Sequence, residues 1–182
     1  MTITPGPNNL MILSSGLNFG IRASIPHLLG IALGFPVMLL IVGLGLDTLI
    51  TQLPILAQVI KVLGLGYLLF LAYQIYTTTQ QRKAQHRSKP LSFFQAALFQ
   101  WANPKAWVMI ISGIGSFASG DDIQTTTWVI TLSFLLVMIP CNGAWLFLGS
   151  QLQKIINNNQ RLRSFNRIMA ILLVVSVMPA FI

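Results

Sequence analysis

Residues 24–46, SIPHLLGIALGFPVMLLIVGLGL, decide the fold, because they run for 23 residues without a charged side chain. About 20 apolar residues in a helix are needed to cross the hydrocarbon core of a bilayer. Such runs are too long for core strands and lack the polar face of helices in soluble proteins. Four further apolar runs contain at most one Lys or Arg each: 54–76, 91–117, 126–148 and 164–182.

The overall composition supports a membrane protein. Of the 182 residues, 54% are hydrophobic and 8% are charged, whereas soluble chains carry roughly a quarter charged residues. This excludes a disordered chain, a coiled coil and nearly every soluble enzyme fold. The sequence lacks GxSxG and HExxH signatures, and its single Cys141 excludes a disulfide framework. We therefore predict no enzymatic activity, no metal site and no cofactor.

The positions of Lys and Arg predict the orientation. Nine of the 11 basic residues lie in or beside three links. Arg22 is in the first, four are in the linker 77–90, and four lie from Lys154 to Arg167. The links 47–53 and 118–125 hold the three acids and no Lys or Arg. The positive-inside rule then places the basic links in the cytoplasm and both termini outside. Because this rule explains the net charge of +8, we predict contact with anionic membrane lipid and no nucleic-acid binding.

The first segment, residues 1–15, is too short to span the bilayer. It reaches about 22 Å as a helix and contains Pro5-Gly6-Pro7, which would break that helix early. We expect a sixth, truncated transmembrane helix whose beginning is missing from this sequence. A short re-entrant or interfacial segment is the alternative. Alternation of basic and non-basic links supports six crossings.

Two broken segments, residues 4–9 (TPGPNN) and 102–105 (ANPK), combine proline with asparagine inside apolar runs. Broken helix is tolerated in a membrane only around protein or a wet cavity, and paired breaks in two halves point to a transporter site. Each half has three spans, so the second half must be inverted. We predict one all-α polytopic transporter domain over 1–182, with inverted repeats at about 1–76 and 91–182.

Lys105 lies near the middle of its apolar run, where a lysine costs at least a few kcal/mol. We expect it to face the bundle interior. Two interpretations stay open: a positive site for a substrate carboxylate, or a structural partner for the carbonyls that Pro104 frees. Two interpretations are likewise open for Asn8, Asn9 and Asn103. They could bind a zwitterion or close gaps at broken helix ends.

Other polar positions have ordinary structural interpretations. His27 is expected to pack between helices, with a proton-linked role as the alternative. Lys61 is expected to extend toward the outer interface. Asp47 is expected to mark a membrane boundary, with a coupling role as the alternative. The glycines at 30–34 and 64–66 are expected to allow close helix contacts.

At the two broken segments the sequence resembles the lysine exporter (LysE/RhtB) family. The resemblance rests on TPGPNNL at 4–10, GLNFGIRA at 16–23 and NPKAW at 103–107. It implies an inner-membrane exporter of amino acids or related small metabolites, driven by the proton gradient, with six helices in two inverted halves and a homodimeric assembly. It also implies a central site made by matching motif residues: Pro5, Gly6, Pro7, Asn8, Asn9, Asn103, Pro104 and Lys105.

We therefore predict alternating access of a zwitterionic amino acid to a midplane site. Two alternatives are a non-transporting membrane protein, as a truncated remnant or scaffold, and a transporter of another small solute such as a metal ion. A membrane redox carrier would need two thiols, and only Cys141 exists. The lack of a mid-span acid favours a neutral amino acid over lysine or arginine.

Overall fold

The computed structural model describes residues 2–46, 54–78, 89–117, 123–156 and 158–176. Within these ranges the chain forms helices and no strand, which confirms the predicted all-α class. The helices are α1 (Pro7–Ile41), α2 (Pro54–Thr77), α3 (Phe93–Ala102), α4 (Pro104–Phe117), α5 (Ile123–Ile155) and α6 (Asn159–Val175).

The predicted apolar runs coincide with these helices. The run 54–76 forms α2, the run 91–117 forms α3 and α4, and the run 126–148 lies within α5. The last run contributes most of α6. The predictions for Asp47, Asp121 and Asp122, for the side chain of Lys61 and for residues 79–88 of the basic linker lie outside the described residues.

Gly20 divides α1 into two helical parts. It has φ 79° and ψ 176°, a backbone conformation that favours glycine because it has no Cβ. The first part begins at Pro7 and contains residues 7–15 of the short predicted segment. The second contains residues 24–41 of the run 24–46, which continues as a π-helical turn at Val42–Leu46. A single residue therefore changes the chain direction within residues 16–23, which lie between the predicted segment 1–15 and the run 24–46.

Glycines bring the helices close together. α1 makes its most extensive contact with α5, where a Cβ on Gly149 would overlap the carbonyl oxygen of Leu13. A Cβ on Gly34 would lie 2.6 Å from the Ala97 Cα atom in α3. The predicted contact role is thus confirmed for Gly30, Gly34 and Gly64, whereas a Cβ on Gly66 would meet no atom within 4 Å.

Large apolar side chains cover the outer surface of the bundle. Phe94 and Leu136 are 75% and 76% exposed, which is unusual for a protein surrounded by water. In the described ranges, the stretches Pro7–Gly45 and Gln124–Ile155 are apolar and long enough to cross a membrane. This apolar outer surface agrees with the predicted membrane protein, and the six crossings stay a prediction.

Candidate functional site

A one-residue break at Asn103 separates α3 from α4. The residue before a proline is disfavoured in a helical conformation, and Asn103 is extended with φ −93° and ψ 105°. Its backbone N–H donates to the Gln100 carbonyl at 3.1 Å, replacing the N–H that Pro104 lacks. Its Oδ1 accepts from the Lys105 backbone N–H at 3.1 Å, as an N-cap residue does. Asn103 therefore closes both broken helix ends.

Trp107 satisfies a further carbonyl at this break. Its indole Nε1 donates to the Trp101 carbonyl at 2.9 Å, and the two rings meet edge to face with centroids 6.0 Å apart. The carbonyls of Gln100 and Trp101 thus have partners other than Lys105. Lys105 therefore does not serve as the structural partner of the carbonyls beside Pro104.

Lys105 instead reaches the other broken segment. Its Nζ donates to the Thr4 carbonyl at 2.8 Å and to the Thr4 Oγ1 at 2.7 Å, and it lies 3.3 Å from the Pro5 carbonyl. An ammonium group has three donors, so these three acceptors satisfy it. The half-buried Lys105 therefore connects two segments 101 residues apart.

Residues 2–5 are held by their main-chain carbonyls. Asn9 Nδ2 donates to the carbonyls of Thr2 and Thr4, both at 2.8 Å. Trp145 Nε1 in α5 donates to the Ile3 carbonyl at 3.0 Å. Together with Lys105, these side chains fix the path of the chain immediately before α1.

Gly6 gives Lys105 room to make its contacts. A Cβ on Gly6 would lie 2.8 Å from Lys105 Cδ and 3.1 Å from its Nζ. The next residue, Pro7, begins α1, where its fixed φ suits the first turn and no N–H is needed. The Pro5-Gly6-Pro7 motif therefore precedes the helix and shapes a contact with α4.

Asn8 and Gln100 form a reciprocal amide pair between α1 and α3. Asn8 Nδ2 donates to Gln100 Oε1 at 2.7 Å, and Gln100 Nε2 donates back to Asn8 Oδ1 at 3.2 Å. Gln100 is fully buried and also donates to the Ala96 carbonyl at 2.8 Å. The pair fixes the start of α1 against the helix that precedes the break.

A small cavity of ≈20 Å³ lies where the two broken segments meet. This is room for about one water molecule and excludes an amino acid. The buried Oδ1 of Asn142, in α5, borders this cavity and has no hydrogen-bond partner among the described residues. The lining residues are Thr2, Gly6, Asn8, Asn9, Phe35, Asn103, Lys105, Ala106, Met109, Met138 and Asn142.

The cavity brings together five of the eight residues predicted for the site: Gly6, Asn8, Asn9, Asn103 and Lys105. Of the other three, Pro5 contributes its carbonyl to Lys105, while Pro7 and Pro104 begin helices. Sequence reasoning missed Gln100 and Asn142. Each is an amide side chain inside an apolar run, and this feature of the sequence could have identified both as candidates.

A larger cavity of ≈390 Å³ lies among α1, α2 and the chain leading to α3. Its polar lining consists of hydroxyl, amide, imidazole and ammonium groups. Lys89, Thr77 and Thr78 border it beside the linker that the sequence predicts to be cytoplasmic. The lining residues are Met11, Ser14, Ser15, Asn18, Phe19, His27, Leu71, Gln74, Ile75, Thr77, Thr78, Lys89, Pro90 and Leu91.

Two buried polar pairs border this larger cavity. His27 Nδ1 lies 2.8 Å from Ser15 Oγ, which joins the two parts of α1 across Gly20. Asn18 Nδ2 donates to Asn166 Oδ1 at 2.9 Å, and Asn166 Nδ2 donates to Asn18 Oδ1 at 3.2 Å. His27 therefore packs between helical parts, as predicted, and also lines a cavity.

Comparison with known proteins identifies relatives over nearly the whole chain. Residues 1–179 match the family described as LysE type translocator. Proteins named cysteine/O-acetylserine efflux protein from Escherichia coli (strain K12), Shigella flexneri and Shigella sonnei (strain Ss046) are each 31% identical. Each match covers 98% of this chain and 91% of the relative. No solved structure matches the chain.

Proposed function

The chain belongs to the LysE type translocator family, and we propose that it exports an amino acid or related small metabolite across the bacterial inner membrane. It is a transporter and not an enzyme. We propose a small neutral amino acid as substrate, because the relatives are named for cysteine and O-acetylserine efflux. The described linings of both cavities contain no carboxylate to hold the second positive charge of a basic amino acid.

The proposed central site is the junction of the two broken segments, with Lys105 as its positive group. The observation that carries this proposal is the contact of Lys105 Nζ with Thr4 and Pro5. Carboxylate oxygens are stronger acceptors for an ammonium than neutral carbonyls. A substrate carboxylate can therefore replace those carbonyls and separate the segments. The proposed site consists of Pro5, Gly6, Pro7, Asn8, Asn9, Asn103, Pro104 and Lys105.

Alternating access is the proposed transport cycle. The ≈20 Å³ cavity beside Lys105 has to open before an amino acid can enter, whereas the ≈390 Å³ cavity already has sufficient volume. We propose that the halves, arranged as inverted repeats, rock about the central site and that the proton gradient drives the cycle. A substrate would then reach Lys105 from one side and leave toward the other.

The larger cavity is proposed to face the cytoplasm. Lys89 at its border belongs to the basic linker 77–90, and basic links are cytoplasmic by the positive-inside rule. Both termini are then outside the cell. We further propose that the chain forms a homodimer and that its basic links contact anionic lipid.

Everted inner-membrane vesicles test the proposed function, because export then appears as uptake. We expect accumulation of radiolabelled serine, cysteine and O-acetylserine, little accumulation of lysine, and loss of accumulation when a protonophore collapses the gradient. Vesicles without the protein are the control. Equal accumulation of every amino acid in both vesicle types would contradict export by this chain.

A further inference from the structure

The larger cavity has no part in the proposed chemistry at Lys105. Its residues in α1 run from Met11 to His27, whereas Lys105 contacts the chain before Pro7. Small-molecule sites have volumes of about 300–1,000 Å³, and this cavity of ≈390 Å³ falls within that range. The cavity is therefore large enough for a small molecule, and the polar groups of its lining determine which molecules it can bind.

The walls of this cavity match a small zwitterion. Hydroxyl and amide groups both donate and accept hydrogen bonds, so they can serve an ammonium and a carboxylate alike. Ser14, Ser15 and Asn18 come from α1, and Thr77 comes from α2. Lys89 is the one Lys or Arg in the described lining, and its exposed side chain favours the approach of a carboxylate.

The polar groups at the inner wall are held in place before any ligand arrives. His27 is 1% exposed, and among the described residues its ring hydrogen-bonds through Nδ1 to Ser15. His27 lines the cavity, and in the described part of the chain no hydrogen bond involves its Nε2. Asn18 is fixed by Asn166 and by the Ser14 carbonyl, to which its Nδ2 donates at 2.9 Å. Preorganised groups of this kind lose little freedom on binding.

We propose that the larger cavity is a loading site, which binds the small neutral amino acid before it reaches Lys105. The Ser15–His27 pair supplies its principal hydrogen-bonding groups, and Lys89 is at its entrance. This inference rests on the proposed export function and deepens it, because it adds a binding site that precedes the central one.

The loading site and the central site are close along α1. Asn9 lines the small cavity and Met11 lines the large one, so about 3 Å of helix rise separates these two lining residues. The amide pair of Asn8 with Gln100 lies at this turn. Transfer from the loading site to Lys105 would take the substrate along this turn of α1.

Thiol labelling tests the loading site directly, because the chain has a single cysteine. In a parent carrying Cys141→Ser, the Gln74→Cys variant places one thiol in the cavity lining. We expect a membrane-impermeant methanethiosulfonate to label it in everted vesicles, and O-acetylserine, which has no thiol, to slow that labelling. Lys154→Cys, at an exposed position outside the cavity lining, is the control and should be labelled equally with and without O-acetylserine.

A second substitution tests the proposed ligands. Adding Ser15→Ala to the Gln74→Cys variant should raise the O-acetylserine concentration for half-protection about tenfold, as loss of one buried hydrogen-bond partner predicts. Ser133→Ala, which removes a hydroxyl bonded within α5, should leave that concentration unchanged. Unchanged labelling of Gln74→Cys at saturating O-acetylserine would overturn the loading site.

The proposed function has a separate measurement. Accumulation of radiolabelled O-acetylserine in the parent vesicles, without protection of Gln74→Cys, removes the loading site and leaves export in place. Protection without accumulation supports the loading site and contradicts export.

Discussion

The Nζ atom of Lys105 lies 2.8 Å from the carbonyl oxygen of Thr4, although the two residues are 101 positions apart. Lys105 is the second residue of α4, and Thr4 precedes α1. An ammonium in an apolar span is costly unless it is hydrogen-bonded, and this contact supplies the acceptors. The same bond therefore satisfies the charge and joins the two broken segments.

Replacing Lys105 with alanine should abolish efflux of the substrate in whole cells. The variant loses the positive group for the substrate carboxylate and leaves the carbonyls of Thr4 and Pro5 without their donor. Lys154→Ala removes an exposed lysine from the last turn of α5 and should leave efflux unchanged. Protein in the membrane is quantified for each variant, and undiminished efflux by Lys105→Ala would remove Lys105 from the mechanism.

The substitution Gly6→Ala should lower efflux without changing any charge. Gly6 is extended, so alanine fits its backbone, but the added Cβ would lie 2.8 Å from Lys105 Cδ and displace that side chain. Gly66→Ala adds a Cβ that meets no atom within 4 Å and serves as the control. Initial efflux rates compare the two variants, and equal rates would show that Lys105 does not depend on the space at Gly6.

Gly149→Ala should destabilise the bundle by about 1–3 kcal/mol, the usual effect of overpacking. The added Cβ would overlap the backbone carbonyl of Leu13, and backbone cannot turn aside as a side chain can. Gly143→Ala, in the same helix, meets no atom within 4 Å and should not lower stability. Thermal unfolding in detergent measures both, and a Gly149→Ala variant as stable as Gly143→Ala would refute the close contact of α1 and α5.

The Asn8–Gln100 pair should show a coupling energy of about 1 kcal/mol in a double-mutant cycle for stability. Asn8→Ala leaves the buried Gln100 Oε1 without its donor, and Gln100→Ala leaves the half-buried Asn8 amide without its partner, so the double variant should be less destabilised than the sum of both. A cycle of Gln100 with the exposed Asn158, the N-cap of α6, should be additive. Additivity for Asn8 and Gln100 as well would mean that the pair is not formed.

The sequence predicts the helices well because apolar length is a property of the chain alone. It also locates the break before Pro104, since proline removes a donor and disfavours a helical residue before it. Gly20 is different. Its left-handed φ of 79° lets one residue replace a predicted link, and nothing in residues 16–23 distinguishes a loop from two helices joined at a glycine.

The partners of polar side chains are harder to predict. Whether Gln100 meets Asn8 depends on how α1 and α3 are rotated about their axes. A strong apolar face would fix that rotation, but side chains in these helices are apolar on nearly every side. For the same reason the sequence predicts His27 to pack between helices but does not predict its contact with Ser15.

The hydrogen bonds to residues 2–5 have a consequence for sequence variation. Thr2, Ile3, Thr4 and Pro5 each offer a main-chain carbonyl to a side chain from elsewhere in the fold. Every amino acid carries that carbonyl, so exchanging these side chains preserves the four main-chain acceptors as long as the chain keeps its path. Exchanging Thr4 removes one further acceptor, its Oγ1, to which Lys105 donates at 2.7 Å. The contact therefore depends mainly on the identities of the donors, Asn9, Lys105 and Trp145, on the absence of a side chain at Gly6, and on the Thr4 hydroxyl.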